Sequence, residues 1–363
     1  MTIDPAGLLP PEEPVRFLSP DGTTSGLPDD LFGLTDEDLV GLYRDMVRIR
    51  RLDTLAIALQ RQGQLGVWAS CRGQEAAQVG IAWAMGLRDW VFPSYREHGV
   101  TLVRGVPFVS LLQQYRGTWM GLYDPYEYQV APHSIPIATH LLHAVGFAKA
   151  AKLRGDDLVT VAFIGDGGTS EGDFHEALNF AAVWDAPTVF VVQNNQFAIS
   201  VPTSAQTRAP SIAHKGIGYG MQGYRVDGND VLASFAVARE AIGRARSGQG
   251  PALIEAHTYR MQPHTTADDD TRYRPHDDLA EWEAKDPITR MERWLLDLGI
   301  LDDDDLSAIT EDAESEALAV RKEAVESAAA PLTDLFDHVF VNPPAGLVAQ
   351  RRAAVAAAGR VDT

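Results

Sequence analysis

Two apolar segments joined by a helix-length segment constrain the fold of this chain more than any other feature. The first, residues 157–165, ends in a Gly-Asp-Gly turn that contains Asp166, and the second, residues 187–193, ends in two asparagines, the latter being Asn195. Short apolar runs arranged in this way are typical of a right-handed βαβ unit. The pattern therefore predicts a parallel sheet with Asp166 and Asn195 at the carboxyl ends of two strands, where open α/β sheets bind ligands.

The residues at these strand ends have the chemistry of a metal and phosphate site. A carboxylate and a carboxamide offer oxygen ligands of the kind that Mg²⁺ shares with phosphate oxygens. Gly167 and Gly168 lack a Cβ atom, which lets the backbone approach a phosphate and adopt unusual φ angles. A helix beginning near Asp173 adds free N–H groups that favour an anion. An aspartate that merely caps a helix is the alternative, but the second strand and its asparagine pair favour a diphosphate site.

This motif and several other blocks resemble one enzyme family. The Gly-Asp-Gly turn followed by two asparagines is similar to the fingerprint of thiamine diphosphate enzymes. The longer pattern resembles the α subunit of the first component of the 2-oxo acid dehydrogenases, which include the pyruvate and branched-chain enzymes. The resemblance runs from about residue 34 to about residue 298 and rests on six further blocks: CRGQEAAQVG (71–80), FPSYREHG (92–99), SIPIATH (134–140), RVDGND (225–230), PALIEAHTYR (251–260) and PHTTADDDTRYR (263–274).

The predicted fold is an α/β fold, with a doubly wound parallel sheet flanked by helices and with helical extensions. By resemblance this sheet is the diphosphate-type domain of the thiamine diphosphate-binding fold. Residues 1–33 are rich in proline and glycine and are expected to form an extended N-terminal arm. Residues 34–300 are expected to form the cofactor-binding domain, and residues 301–363 a C-terminal helical extension and tail.

Composition excludes several classes of protein. The net charge of −19 argues against nucleic-acid binding, which requires a basic surface. No stretch approaches the length of an apolar membrane span, and the N-terminal residues lack the pattern of a secretory signal, so we expect a cytoplasmic protein without a membrane segment. The single cysteine, Cys71, rules out an internal disulfide and a cysteine-based zinc site.

The resemblance assigns a cofactor and its contacts to named residues. The cofactors implied are thiamine diphosphate and Mg²⁺, the metal ligands being Asp166, Asn195 and the main-chain carbonyl of Phe197. Arg96 matches the family arginine that contacts the diphosphate, although a surface cation is the usual role of a single arginine. The cofactor-binding residues expected are Tyr95, Arg96, Ser134, Ile137, Gly165, Asp166, Gly167, Gly168, Asn195 and His264.

Two further expectations concern loops. His264 matches the active-site histidine of the family, which implies a catalytic role in orienting the substrate and in proton transfer, whereas a lone loop histidine is more often solvated. Thr265 occupies a position that is phosphorylated in animal relatives, but nothing in the sequence indicates a kinase. Ser134, Pro136 and Thr139 match a structural potassium site, and His140, which replaces a glutamine, makes that site doubtful.

The resemblance also implies partners and substrates. Family members receive a glutamate from a β subunit in a two-α, two-β heterotetramer, and they pass the acyl group to the lipoyl group of an acyltransferase partner. A small-molecule 2-oxo acid is the substrate. The segments SEGD (170–173) and 263–274 resemble branched-chain members, so we favour branched-chain 2-oxo acids over pyruvate, with acetoin as a third alternative. A catalytically silent scaffold subunit is the alternative from another class.

Overall fold

The computed structural model describes residues 5–118, 123–328 and 330–359, so the first residues of the predicted arm and the last residues of the predicted tail lie outside the described parts. The α-helices are α1 Asp36–Arg61, α2 Glu75–Trp83, α3 His98–Val103, α4 Phe108–Arg116, α5 Pro125–Tyr128, α6 Thr139–Arg154, α7 Gly172–Trp184, α8 Thr203–Gln206, α9 Val231–Arg246, α10 His276–Glu283, α11 Pro287–Asp297, α12 Asp303–Glu326, α13 Asp334–Asp337 and α14 Ala345–Ala358. The strands are β1 Trp90–Phe92, β2 Thr160–Gly165, β3 Thr188–Asn194, β4 Phe197–Ala198, β5 Val201–Pro202, β6 Gln222–Asp227 and β7 Ala252–His257.

The central sheet has five parallel strands in the order β1, β2, β3, β7, β6. The predicted α/β fold with a parallel sheet is therefore confirmed. In the register of β2 and β3, Gly165 lies opposite Gln193, so Asp166 and Asn195 both follow the carboxyl ends of adjacent strands. In the sheet, β7 lies between β3 and β6, although β6 precedes β7 in the sequence.

Both faces of the sheet are covered, which explains why the strands are apolar runs without alternation. In β2, Val161 and Phe163 belong to one buried cluster together with residues of α1, α2 and α9. Ala162 and Ile164 belong to a second cluster with residues of α6 and α7 on the opposite face. The strand ends are thus held between two layers of helices, and this packing fixes the positions of the residues that follow them.

The connection from β2 to α7 is a 3₁₀ helix, Asp166–Ser170, rather than the loop expected from its glycines. The expectation that Gly167 and Gly168 need unusual φ angles is wrong, because neither has a positive φ. Their role is close packing: a Cβ atom would lie 2.5 Å from Ala198 Cβ at Gly167 and 2.3 Å from Ile164 Cδ1 at Gly168. These glycines allow the turn to contact β2 and β4.

The predicted N-terminal arm packs on the sheet of its own chain. Val15 forms a parallel bridge with Val226 of β6, with hydrogen bonds of 2.9 Å on both sides. Asp230 at the start of α9 accepts hydrogen bonds of 2.7 Å from the backbone N–H groups of Phe17 and Leu18, and Leu18 is fully buried. This part of the arm therefore extends the sheet edge.

The predicted C-terminal extension begins with α12, which packs along α1. Ile309, Ala317 and Ala324 of α12 are buried in the same cluster as the inner face of α1. On the outer side, Arg48 and Arg51 of α1 form ion pairs with glutamates of α12. The domain boundaries at residues 33 and 300 stay predictions. Among the described residues, no helix combines the length and hydropathy that crossing a membrane requires.

Candidate active site

A cleft of about 480 Å³ lies at the carboxyl ends of β2 and β3, beside the turn that follows β2. It brings together most of the residues predicted for the site from distant parts of the sequence. The predicted residues in its wall are Tyr95, Arg96, Ile137, Gly165, Asp166, Gly167, Gly168, Asn195, Phe197 and His264. Ser134 does not line the cleft.

The side chains of Asp166 and Asn195 are buried at the strand ends. Asp166 Oδ2 accepts hydrogen bonds from Gln206 Nε2 at 2.8 Å and from Thr203 Oγ1 at 3.3 Å. Asn195 Nδ2 donates to Gln74 Oε1 at 3.3 Å, while Asn195 Oδ1 is buried and has no hydrogen-bond partner among the described residues. An unpaired buried acceptor beside a carboxylate has the donor chemistry of a hard cation site.

Burial raises the pKa of Asp166 above its ordinary value, because a carboxylate loses hydration in the protein interior. The hydrogen bonds from Gln206 and Thr203 act in the opposite direction and stabilise the charged form. No basic residue forms an ion pair with Asp166 in the described parts of the chain. A divalent cation at this position would supply the missing positive charge.

The third predicted metal ligand is a backbone carbonyl. Phe197 begins β4, two residues after Asn195, and its carbonyl oxygen accepts a hydrogen bond of 3.3 Å from Arg260 Nη1. A carbonyl oxygen has two lone pairs, so this contact leaves one available. The Phe197 carbonyl can therefore also bind a metal ion. Because it is a backbone atom, the identity of the side chain does not indicate this role.

Two buried arginines supply positive charge to the cleft. Arg96 Nη1 donates to the Ser70 carbonyl at 2.6 Å, and Arg260 Nη2 donates to the Ile199 carbonyl at 2.7 Å. Neither guanidinium forms an ion pair with a carboxylate within the described residues. Because a buried charge that forms no ion pair is costly, two such cations in one cleft favour an anionic ligand.

His264 lies between these two guanidinium groups. Its Nδ1 is 3.2 Å from Arg96 Nη2 and 3.5 Å from Arg260 Nη1, and its carbonyl accepts from Arg96 Nη2 at 2.9 Å. A guanidinium can only donate, so Nδ1 is the acceptor and the proton resides on Nε2. Burial, followed by the charges of Arg96 and Arg260, lowers the pKa of His264 to about 4, so the ring is neutral at pH 7.

The loop that carries His264 is held by polar contacts of several kinds. Asp270 and Arg274 form an ion pair within this loop. Asp268 instead accepts from the backbone N–H of His264 at 2.8 Å and from the Tyr273 hydroxyl. The backbone of His264 is therefore fixed by a carboxylate four residues later in the sequence.

The segment expected to hold potassium lies at the rim of the cleft. Ser134 Oγ donates to the Pro136 carbonyl at 2.9 Å, and Thr139 Oγ1 lies 3.4 Å from Asp173 Oδ2. His140 Nε2 donates to the Phe163 carbonyl at 2.5 Å, so this ring is attached to β2. The potassium site stays a prediction.

Several polar residues of the site could not be found from the sequence. Gln74, Thr203 and Gln206 contact the strand-end residues, but they belong to no short motif with a known chemical role. Glu97 follows Arg96 and is buried, with its carboxylate accepting from Ser94 N at 2.7 Å and from Gln193 Nε2 at 2.5 Å. Apart from the contact with Ser94, these contacts link residues that are far apart in the chain, so only the fold reveals them.

Comparisons with known proteins agree with the fold. Residues 43–332 match the family model described as dehydrogenase E1 component. The chain is 51% identical over 350 residues to the 3-methyl-2-oxobutanoate dehydrogenase subunit alpha of Mycobacterium tuberculosis (strain ATCC 25618 / H37Rv), covering 96% of this chain and 95% of the relative. It is 41% identical over 318 residues to the pyruvate dehydrogenase E1 component subunit alpha of Staphylococcus aureus (strain MW2), covering 87% and 86%. The resemblance inferred from the motifs is confirmed, and the chain belongs to the dehydrogenase E1 component family, among its α subunits.

Proposed function

We propose that this chain is the α subunit of a branched-chain 2-oxo acid dehydrogenase. The proposed complex catalyses the thiamine diphosphate-dependent oxidative decarboxylation of 2-oxo acids and the reductive acylation of lipoyl groups on an acyltransferase. The observation that carries this choice of substrate is the 51% identity, over 96% of the chain, to a relative named for 3-methyl-2-oxobutanoate. Pyruvate is the second candidate, supported by the 41% identity to a relative named for pyruvate, and acetoin is the third.

The cleft has the charges and the donor atoms that a metal diphosphate requires. Asp166, Asn195 and the Phe197 carbonyl would hold Mg²⁺, and the unpaired Asn195 Oδ1 is the feature that supports this assignment. Arg96 and the N-terminus of α7 would attract the diphosphate, because both present positive charge or free N–H groups. When bound, thiamine diphosphate supplies the electron sink that decarboxylation of a 2-oxo acid requires.

The chain's own catalytic residue in this proposal is His264. Its neutral ring has a proton on Nε2, and no hydrogen bond to Nε2 occurs within the described residues. The Nε2–H group can donate a hydrogen bond to the carboxylate or oxo oxygen of a substrate, while Arg96 and Arg260 hold the other side of the ring in place. Because the two cations disfavour a positively charged ring, His264 stays neutral and acts through this hydrogen bond.

A second chain is needed to complete the site. Ile135, Ile137, Ile199 and Val201 lie around the cleft and are exposed despite their apolar side chains. Such a rim favours contact with another protein, and we assign it to a β subunit that donates a glutamate in a two-α, two-β heterotetramer. A cytoplasmic location and a potassium ion bound through Ser134, Pro136 and Thr139 complete the proposal.

The experiment is a decarboxylation assay on this chain co-expressed with the β gene beside its own. Pyruvate is compared with the three branched-chain 2-oxo acids in the presence of thiamine diphosphate, Mg²⁺ and an artificial electron acceptor. A preference for the branched-chain acids supports the proposal, and a preference for pyruvate selects the second candidate. Cofactor-bound complex that turns over none of the four acids contradicts both assignments.

The metal site is tested separately by cofactor binding. Asp166→Ala and Asn195→Ala should each abolish Mg²⁺-dependent binding of thiamine diphosphate, because they remove the two side-chain ligands. Asn229, which is buried just before α9 and does not line the cleft, provides the matched control as Asn229→Ala. Unchanged cofactor affinity in the two ligand variants, or complete failure of the wild-type complex to bind cofactor, would refute the site. The latter result is the one that a silent scaffold subunit predicts.

A further inference from the structure

A short segment after β3 folds over the carboxylate of Asp166. The antiparallel pair of β4 and β5 turns the chain back, and the backbone N–H of Thr203 donates to the Gln196 carbonyl at 3.0 Å. The single helical turn of α8, Thr203–Gln206, then lies against the 3₁₀ helix that contains Asp166. This path brings two polar side chains, at the first and last positions of α8, to one carboxylate.

Gln206 makes the shorter contact with that carboxylate. Its Nε2 donates to Asp166 Oδ2 at 2.8 Å and to the Val201 carbonyl at 3.1 Å. The amide orientation follows from the chemistry, because turning Oε1 toward a carboxylate and a carbonyl would place acceptors against acceptors. Gln206 is therefore fixed by two hydrogen bonds, one to the segment that carries it and one to Asp166.

Thr203 makes a longer, shared contact. Its Oγ1 lies 3.3 Å from Asp166 Oδ2 and 3.1 Å from Asn194 Oδ1. A hydroxyl has one proton, so it can donate to only one of these two oxygens at a time. The orientation of Asp166 thus depends more on Gln206 than on Thr203.

Both partners of Asp166 Oδ2 are uncharged, and this distinguishes them from an ion pair. A lysine or arginine in the place of Gln206 would neutralise the carboxylate and compete with a cation. A neutral amide instead fixes one carboxylate oxygen and preserves the negative charge. Groups that orient metal ligands by hydrogen bonding are a general requirement of metal sites, and their removal weakens metal binding by about 10- to 100-fold.

We propose that Gln206, assisted by Thr203, is a positioning residue for the metal-binding carboxylate of Asp166. The inference rests on the proposed Mg²⁺ site and adds to it a requirement on the segment after β3. The side-chain amide holds Oδ2, so that the carboxylate keeps one rotamer when the cation arrives. Gln206 itself contacts neither the metal nor the substrate.

The test measures Mg²⁺ affinity by calorimetry on the complex with its β subunit, with thiamine diphosphate present in saturating amount. Gln206→Met keeps the length of the side chain and removes the donor, and Gln206→Ala removes both. Each should raise the Kd for Mg²⁺ by about 10- to 100-fold. Thr203→Val should raise it less, because Thr203 has the longer and shared contact.

Controls separate this inference from a merely structural effect and from the proposed function. Gln249→Ala, on the exposed turn after α9, should leave the Kd for Mg²⁺ unchanged. A structural role for Gln206 predicts a lower melting temperature without Mg²⁺ and an unchanged Kd, which would overturn the inference. If Asp166→Ala abolishes Mg²⁺ binding while both Gln206 variants retain wild-type affinity, only this inference fails. If Asp166→Ala also retains wild-type affinity, the proposed metal site fails with it.

Discussion

Replacing Gly167 by alanine should destabilise the protein through one identifiable contact. A Cβ atom at this position would lie 2.5 Å from Ala198 Cβ and 3.2 Å from Ala198 Cα. Carbon atoms pack best at about 3.5–4.0 Å, so the two chain segments would have to separate by about 1 Å. Alanine has no rotamer that relieves the overlap. Overpacking of this kind costs about 1–3 kcal/mol, and we expect Gly167→Ala to lower the free energy of unfolding by that amount.

The same overlap predicts an effect on the cofactor. Ala198 follows Phe197, whose carbonyl is a proposed metal ligand, so moving β4 away from Gly167 would move that carbonyl as well. Gly167→Ala should therefore weaken Mg²⁺-dependent cofactor binding in addition to lowering stability. Urea unfolding of the cofactor-free protein and calorimetry of cofactor binding measure the two effects separately.

A double mutant and a neighbouring glycine make this prediction refutable. Gly172→Ala places a Cβ atom where nothing lies within 4 Å, so it should not destabilise the protein. In Gly167→Ala combined with Ala198→Gly, the atom nearest to the new Cβ would be the Cα of residue 198 at 3.2 Å. The second substitution should restore most of the lost stability, apart from about 0.5–1 kcal/mol for a glycine in a strand. Equal stabilities of Gly167→Ala and Gly172→Ala, or no rescue, would show that the argument is wrong.

Three further predictions concern other buried polar groups. His264→Ala should lower kcat by about 10²- to 10³-fold, the usual cost of removing a hydrogen-bond donor to a developing charge, in a steady-state assay of the complex. Acid should destabilise the fold, because burial lowers the pKa of both His133 and His140 from 6.5 to about 4. Between these pH values the unfolded chain binds protons that the folded chain does not. The stability that is present above pH 6.5 is therefore lost as the pH falls toward 4. Asp53→Ala should cost about 3 kcal/mol or more in urea unfolding, since Asp53 accepts hydrogen bonds from Trp68 Nε1, Ser70 Oγ and Cys71 N, and each buried donor left unpaired costs about 1–3 kcal/mol.

Each of these predictions has a control. His264→Gln retains a donor and should lose less activity than His264→Ala. Gln249→Ala, on the exposed turn after α9, should leave the pH dependence of the urea midpoint unchanged, whereas His133→Gln should flatten it between pH 7 and pH 5. Asp53→Asn retains two acceptor lone pairs and should cost less than alanine. The pH argument is refuted if the wild-type midpoint is constant over this range.

Much of the fold was predictable because the sheet is buried on both faces. Strands β2 and β3 are uninterrupted apolar runs, and turn residues with their own chemistry mark their ends. Asp166 and Asn195 could be placed together from these signals alone, since parallel strands bring their carboxyl ends to one edge. The assignment of Arg96 and His264 to the site relied on resemblance, because a single arginine or histidine in a loop belongs to no periodic pattern or characteristic spacing.

The remaining features depend on packing between distant segments. The expectation that Gly167 and Gly168 need unusual φ angles was wrong. The sequence cannot distinguish a glycine that is required for close packing from one that is required for a positive φ. Gln206 could not be associated with Asp166, since the turn between β4 and β5 that brings them together is only a few residues long and has no hydrophobic pattern. The pairing of Val15 with β6 likewise joins segments that the sequence gives no reason to connect.

The pairing of the N-terminal residues with β6 has a consequence for folding during synthesis. Leu18 is anchored by Asp230 and by Arg290 Nη1, which donates to its carbonyl at 2.9 Å across a separation of 272 residues. Residues 15–18 therefore cannot make these contacts until the segments that carry β6, Asp230 and Arg290 have been synthesised. Contacts between such remote positions form slowly, so we expect the pairing of Val15 with β6 to be a late step of folding, after the central strands have paired.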